Sequence, residues 1–329
     1  MKIFITGVTG YIGQKLAIQL ADDGHTIHAL VRDAQKGKSL LDHSNILLFT
    51  GDILDPVSLL TAMTGCGQVY HLAALASVWH KNPRSFHQIN VNGLKNVLDA
   101  CLTAGITDVL FTSTAGVVGD SKDGEPVCEL TNTDPKLETL YEQSKVAAEQ
   151  LIKTYIPRGI RGIIVNPSRV YGPGLLTESN GFTRLMKMYV SGHWKIKPCN
   201  GNSIGNYVYI DDTINGLIAA MEKAKPGERY LLGGVNATYN EFFSLVDELT
   251  GVKRKMYNVP LPVMLFLSRI QLMMARLFGK QPMITPPFVR KYTKQWIVTS
   301  KKAEQEIGYT ITPLKEGVSK TLDWLNQPA

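Results

Sequence analysis

Tyr141-Glu142-Gln143-Ser144-Lys145 contains the pair of residues best suited to acid–base work. On a helix, residues four apart share a face, so Lys145 sits beside Tyr141 and its charge lowers the phenol pKa. A tyrosine so tuned can protonate a carbonyl, or deprotonate an alcohol in the reverse direction. The spacing alone carries little, since 13 tyrosines make a chance pair with lysine ordinary. Its position after a candidate strand, Val109–Thr114, gives it weight. That strand ends in three consecutive hydroxyls, Thr112, Ser113 and Thr114, followed by Ala115-Gly116. A hydroxyl there can share the substrate oxygen with Tyr141 and stabilise developing charge. Alternation places Thr112 and Thr114 on one side and Ser113 on the other. Without the tyrosine motif, β-propensity and turn bonding would account for all three.

A reacting oxygen needs a redox partner, and the first turn of the chain offers a place for one. In Thr6-Gly7-Val8-Thr9-Gly10-Tyr11-Ile12-Gly13 the glycines recur every third residue between an apolar run and a helical pattern. Glycine permits the tight turn and lets a pyrophosphate approach the backbone, facing the unpaired amides of a helix N-terminus. Gly7, Thr9, Gly10, Tyr11, Ile12 and Gly13 are therefore candidate dinucleotide contacts. After the second strand comes Val31-Arg32-Asp33, with Lys36 and Lys38 nearby. An acid at the position of Val31 would bond a ribose 2′-hydroxyl, whereas Arg32 can fork a 2′-phosphate, so NADP(H) is favoured over NAD(H). Asp33 could instead turn inward toward the ribose, or serve as a turn residue paired with Arg32 or Lys36. Asp52 and Ile53 after the third strand suit the adenine amino group and ring, although Asp52 alone would pass for a turn or cap residue. Leu72, Ala73 and Ala74 after the fourth strand leave space for a cofactor passing the backbone. His71 reads as a packed strand histidine.

These residues must be carried by alternating strands and helices. Residues 2–5, Thr26–Val31, Ile46–Thr50, Gln68–Leu72, Val109–Thr114 and Gly162–Asn166 read as strands separated by helix-length sequence. Such alternation predicts an α/β fold with a doubly wound parallel sheet, binding ligands beyond the strand carboxyl ends. Residues 1–172 form the expected dinucleotide-binding domain. Tyr207–Asp211 and the helix after it are expected to return to its sheet, within a returning stretch over 207–235. Residues 173–206 and 236–329 form the expected smaller, irregular α-rich substrate lobe. The very apolar stretch 263–278 spans about 24 Å as a helix and is interrupted by Arg269 and Arg276, poor credentials for a membrane span. It reads first as a core or pocket-lid helix. The second reading is a surface helix with peripheral membrane contact that admits greasy substrates.

Composition fits a folded enzyme: 44% hydrophobic and 19% charged residues in a chain of 329. The net charge of +7 is dispersed apart from a basic stretch from Arg290 to Lys302, which argues against nucleic acid. Cys66, Cys101, Cys128 and Cys199 stand far apart, disfavouring a metal site or a disulfide framework. The chain runs from Met1 directly into the first strand and glycine turn, which predicts a cytoplasmic protein.

Eight segments in order carry a resemblance over almost the whole chain: Thr6–Gly13, Gly51–Asp55, His71–Ala74, Asn90–Gly93, Thr112–Gly119, Tyr141–Lys145, Asn166–Gly174 and Tyr209–Asp212. The sequence resembles the extended short-chain dehydrogenase/reductase superfamily, the NAD-dependent epimerase/dehydratase family. The resemblance implies that Tyr141 and Lys145 act with Thr114, which stands where most relatives carry serine, and that Lys145 also holds the nicotinamide ribose. It places Pro167 near the nicotinamide and assigns Thr112 and Val170 to the cofactor. Val118 replaces the tyrosine usual in sugar-modifying members, and Ala115-Gly116 replace the Asp-Glu pair of 4,6-dehydratases. The sequence is most similar to the dihydroflavonol reductase branch, which implies NADPH-dependent reduction of a ketone or aldehyde on a small hydrophobic molecule. A nucleotide-sugar epimerase with tightly held NAD is the alternative, and a catalytically silent NADP-binding regulatory protein the third reading. Homodimerisation through the helices after strands four and five is a family expectation.

Overall fold

The computed structural model describes residues 1–131, 135 and 137–327; the end of the expected C-terminal lobe, 328–329, lies outside the described residues. Six strands open the fold: β1 Lys2–Thr6, β2 Thr26–Val31, β3 Ile46–Thr50, β4 Gln68–His71, β5 Asp108–Thr112 and β6 Arg161–Pro167. The strands β7 Arg169–Tyr171, β8 Ile196–Pro198, β9 Ile204–Tyr209, β10 Arg229–Leu232, β11 Val235–Thr238 and β12 Tyr257–Val259 follow. Seven of them make one sheet in the order β10-β6-β5-β4-β1-β2-β3. Every pairing within it is parallel. The order reverses between β1 and β4, which opens the crevice where doubly wound sheets bind ligands.

Helices cover both faces, so the inner strands are apolar along their length. The helices of this part are α1 Tyr11–Asp22, α2 Ala34–Leu40, α3 Pro56–Met63, α4 Arg84–His87, α5 Gly93–Ala104 and α6 Leu140–Tyr155. Strand alternation divides the core. Ile3 and Ile5 pack with Leu16 of α1, whereas Phe4 points the other way toward Leu94 of α5 and Ile152 of α6.

The remaining helices are α7 Gly181–Val190, α8 Ile210–Lys223, α9 Tyr239–Thr250, α10 Leu261–Phe278, α11 Pro286–Tyr292, α12 Lys301–Ile307 and α13 Leu314–Leu325. The expected return to the main sheet follows a different route from the one read in the sequence. Tyr207–Tyr209 belong to β9, which lies between β7 and β11 in a separate three-stranded sheet. Helix α8 covers the main sheet, packing on β5 and β6, and β10 supplies its edge strand. The short segment Arg169–Tyr171, leaving β6 after Ser168, diverts the chain into the second sheet before the hydrophobic pattern can show it. Phe182, Tyr207 and Phe242 pack there edge-on and tilted, with ring centroids 4.6–5.0 Å apart. Such aromatic packing gives the second lobe its own apolar centre.

Helix α10 departs from a core reading. Among its residues only Ser268 and Ala275 are buried. Phe266, Leu267, Met273, Leu277 and Phe278 are each about half or more exposed. Its 18 residues are long and apolar enough to cross a membrane by length and composition, two residues longer than the stretch read from the sequence.

Candidate active site

The glycine turn between β1 and α1 shows what each glycine is for. Gly7 adopts φ 77°, and a Cβ there would lie 2.6 Å from Ala73 N, so the turn is pressed against the chain leaving β4. At Gly13 a Cβ would meet the Gly7 carbonyl oxygen at 2.2 Å, which allows α1 to start directly behind the turn. Gly10 differs: its Cβ would approach only the Gly7 oxygen, at 3.2 Å. Gly10 is also the N-cap of α1 and offers no side chain to the helix amides. The amides of Tyr11, Ile12 and Gly13 thus have no intrahelical acceptor and form a cradle suited to a pyrophosphate. The Tyr11 side chain lies elsewhere, buried and donating to the Gly172 carbonyl at 3.0 Å, so only its backbone belongs to the turn. Thr9 and Ile12 remain partly exposed.

Arg32 is exposed at the end of β2 and has no ion-pair partner among the described residues. Asp33 does not turn inward: its Oδ1 accepts from Lys36 N at 3.0 Å and caps α2. Asp52 shapes the turn after β3, accepting from Leu54 N at 2.9 Å, and Ile53 packs beneath Gly93. Leu72 and Ala73 pass over β1, with Ala73 N donating to Thr6 Oγ1 at 3.2 Å. Ala74 continues this partly exposed path. His71 is fully buried with Nδ1 2.9 Å from Thr6 Oγ1, as a packed strand histidine should be. Burial, and then the nearby Lys145, pull its pKa down to about 3.

Helix α6 begins with a capping box: the Thr139 hydroxyl accepts from Glu142 N, and the Glu142 carboxylate accepts in return from Thr139 N. Glu142 also pairs with Lys291 of α11. One face of α6 then presents Tyr141, Lys145 and Glu149 at successive intervals of four. Lys145 is buried, its Nζ donating to the Thr112 carbonyl at 2.8 Å and lying 5.9 Å from the Tyr141 ring centroid. Burial pushes its pKa down to about 7 against the pull of Glu149. The Tyr141 phenol is pushed up, by burial first and the Glu142 charge second. In the protein alone the phenol is therefore raised, not lowered as the spacing predicts, because burial disfavours its charged form.

Thr114 follows β5 in extended conformation, and its Oγ1 accepts from Gly116 N at 3.2 Å, capping the short turn Ala115–Val118. No hydrogen bond joins it to Tyr141 among the described residues. The Thr112 and Ser113 hydroxyls are buried without partners. Pro167 ends β6 and Val170 lies in β7, both buried.

Tyr141 lines a cavity of about 670 Å³ together with Val78, Trp79, Leu272, Phe278 and Phe288. The walls come from the segments 77–86, 138–141, 272–279 and 285–288, too far apart in sequence for spacing to reveal them. Two further residues had no role assigned from the sequence, although Asn90 opens one of the eight resembling segments. Asn90, on the π-helical turn Gln88–Asn92, accepts from Leu75 N at 2.7 Å and donates to Ser144 Oγ at 2.8 Å. Glu149 accepts from Asn166 Nδ2 at 2.7 Å and pairs with Arg229 at 3.4 Å. A polar residue every fourth position from Tyr141 was the available signal for Glu149.

A parallel sheet with a glycine cradle at its switch point and a Tyr–Lys helix beside it defines a nucleotide-dependent oxidoreductase of the extended short-chain dehydrogenase/reductase type. Residues 3–233 match the model of the NAD dependent epimerase/dehydratase family, and the chain belongs to that family. It is 29% identical to a bifunctional dihydroflavonol 4-reductase/flavanone 4-reductase of Malus domestica, over 79% of this chain and 78% of that one. It is 26% identical to sterol demethylase protein B of Methylococcus capsulatus, over 99% of both chains. A UDP-glucose 4-epimerase structure from Thermotoga maritima shares the fold, with a TM-score of 0.82 at 22% identity over 98% of each chain. The chain is an NAD(P)-dependent oxidoreductase.

Proposed function

We propose that the protein reduces a ketone or aldehyde on a small hydrophobic molecule with NADPH. The observation that carries this reading is the position of Tyr141, at one wall of a largely apolar cavity with Lys145 behind it. The bound nicotinamide supplies the hydride. Tyr141 supplies the proton to the carbonyl oxygen, and Lys145 steers that proton by its charge and holds the ribose. The Thr114 hydroxyl, anchored beside the strand end, helps bind the substrate oxygen. Pro167 and Val170 flank the nicotinamide. The turn Gly7–Gly13 holds the pyrophosphate, and Asp52 with Ile53 takes the adenine.

The preference for NADPH rests on Arg32, exposed and unpaired where a 2′-phosphate would lie, and on Asp33, whose carboxylate is committed to capping α2. Charge-assisted bonds to a phosphate contribute about 1.5–3 kcal/mol. Arg32→Ala should therefore weaken NADPH at least about tenfold and leave NADH unchanged in a fluorescence titration. The reaction is tested by following NADPH absorbance with a panel of hydrophobic ketones and aldehydes. Stoichiometric oxidation supports the reductase; conversion of a nucleotide sugar with no net cofactor turnover would replace it with an epimerase.

A further inference from the structure

Helix α10 is built inside out. Its buried side carries Ser268 and Ala275, while Val263, Phe266, Leu267, Ile270, Met273, Met274, Leu277 and Phe278 line the side facing away from the protein. Their spacing of three and four residues makes one continuous apolar stripe along about 24 Å of helix. Met283, 68% exposed, extends the patch beyond the helix end. An exposed stripe of this kind on a single chain marks an interaction surface.

Charge identifies the partner. Between Glu248 and Glu304 the sequence contains 11 lysines and arginines and no acidic residue, so these residues carry +11. The rest of the chain, with 24 of the 35 bases and all 28 acids, carries −4. Four of the 11 are engaged in ion pairs with the main domain: Arg290, Lys291, Lys294 and Lys302. Arg269 and Arg276 sit together at one edge of the stripe, Lys280 follows the helix, and none of the three has an ion-pair partner among the described residues. Two copies meeting through this face would set these cations against like charges, with Glu178, bonded to Gln281 at the edge of the patch, among the few acids near it. A lipid surface bearing anionic headgroups accepts both the stripe and the cations.

We infer that α10 seats the protein in the plane of an anionic membrane, with the stripe in the acyl boundary and Arg269, Arg276 and Lys280 among the headgroups. Leu277 and Phe278 belong both to the stripe and to the cavity lining, so the cavity wall is continuous with the lipid-facing surface. A lipid-dissolved substrate then reaches Tyr141 along that wall without crossing water.

The test floats the full-length protein on vesicles of phosphatidylcholine alone and with about 30% phosphatidylglycerol. The expected result is binding to the anionic vesicles, several-fold weaker on neutral ones and reversed by high salt. Phe266→Glu with Met273→Glu should reduce binding by about tenfold or more at an unchanged melting temperature. Both side chains are exposed and outside the cavity lining. Arg269→Glu with Lys280→Glu should selectively remove the anionic preference. Failure of the wild type to float on anionic vesicles overturns the inference. So does flotation untouched by both variants, or a wild-type dimer in solution that Phe266→Glu with Met273→Glu converts to monomer. None of these measurements depends on turnover, so they stand apart from the proposed reduction.

Discussion

Lys145 Nζ on α6 and the Thr112 carbonyl at the end of β5 are joined by a buried hydrogen bond of 2.8 Å. It fixes α6 to the strand end that carries the hydroxyls. With Lys145 held there behind it, the Tyr141 phenol lines the cavity, alongside His80, Lys81, Glu138 and Arg276. Tyr141→Phe should lower turnover by roughly 10²–10⁴-fold while nucleotide affinity stays within about twofold. Stopped-flow reduction with saturating NADPH checks it, and a variant keeping a tenth of the activity would remove Tyr141 from the acid role.

The two buried bases give stability a pH dependence of defined sign. The folded pKa of Lys145 is lowered to about 7 and that of His71 to about 3. The unfolded chain therefore binds more protons between pH 3 and about 6.5 through His71, and between 7 and about 10.5 through Lys145. Stability rises with pH across both windows. Melting of the cofactor-free protein from pH 7 to about 9.5 should show the upper rise, and Lys145→Met should flatten it. An unchanged slope in that variant would refute the assignment.

The glycine turn separates folding from binding. Gly13→Ala places a Cβ against the Gly7 oxygen and should destabilise the domain by several kcal/mol. Gly10→Ala meets the Gly7 oxygen at 3.2 Å, a tight contact that a small shift of the turn relieves, so the protein should melt within a few degrees of wild type yet lose nucleotide affinity by about tenfold or more. Calorimetry and titration on the two variants decide it; undiminished binding by Gly10→Ala would move the pyrophosphate elsewhere.

Asn90 ties the segment at Leu75 to Ser144 of α6, one residue from Lys145. Its replacement by alanine leaves buried groups unpaired and should cost about 1–3 kcal/mol. Because Ser77 and Trp79 at the cavity follow that segment, KM should rise more than kcat falls. A fall confined to kcat would indicate that Asn90 acts on Tyr141 and Lys145 alone.

Six of the seven strands of the main sheet were legible because buried parallel strands are largely apolar, whereas β10 was not read as a strand; the glycine and Tyr–Lys motifs were legible because each lies within a few neighbouring residues. β9 was misplaced: its alternating apolar pattern is the same whichever sheet receives it, and tertiary pairing alone sends Tyr207 to Val235. The cavity was invisible because four distant segments build it. Helix α10 shows a different limit, since an apolar stripe reads as core until its neighbours are known. Asp33 could be read either way, and the amide of Lys36 decided it.

The pairing of β10 with β6, Arg229 opposite Ile164, spans β7 and β9, two of the three strands of the second sheet, in sequence. A ribosome that has delivered residues 1–172 has therefore made a nucleotide-binding half whose last strand still shows a bare row of amides and carbonyls. Such an edge invites pairing between chains. Fragments ending before Leu232 should aggregate, and the two lobes cannot be divided by a single cut into independently soluble pieces.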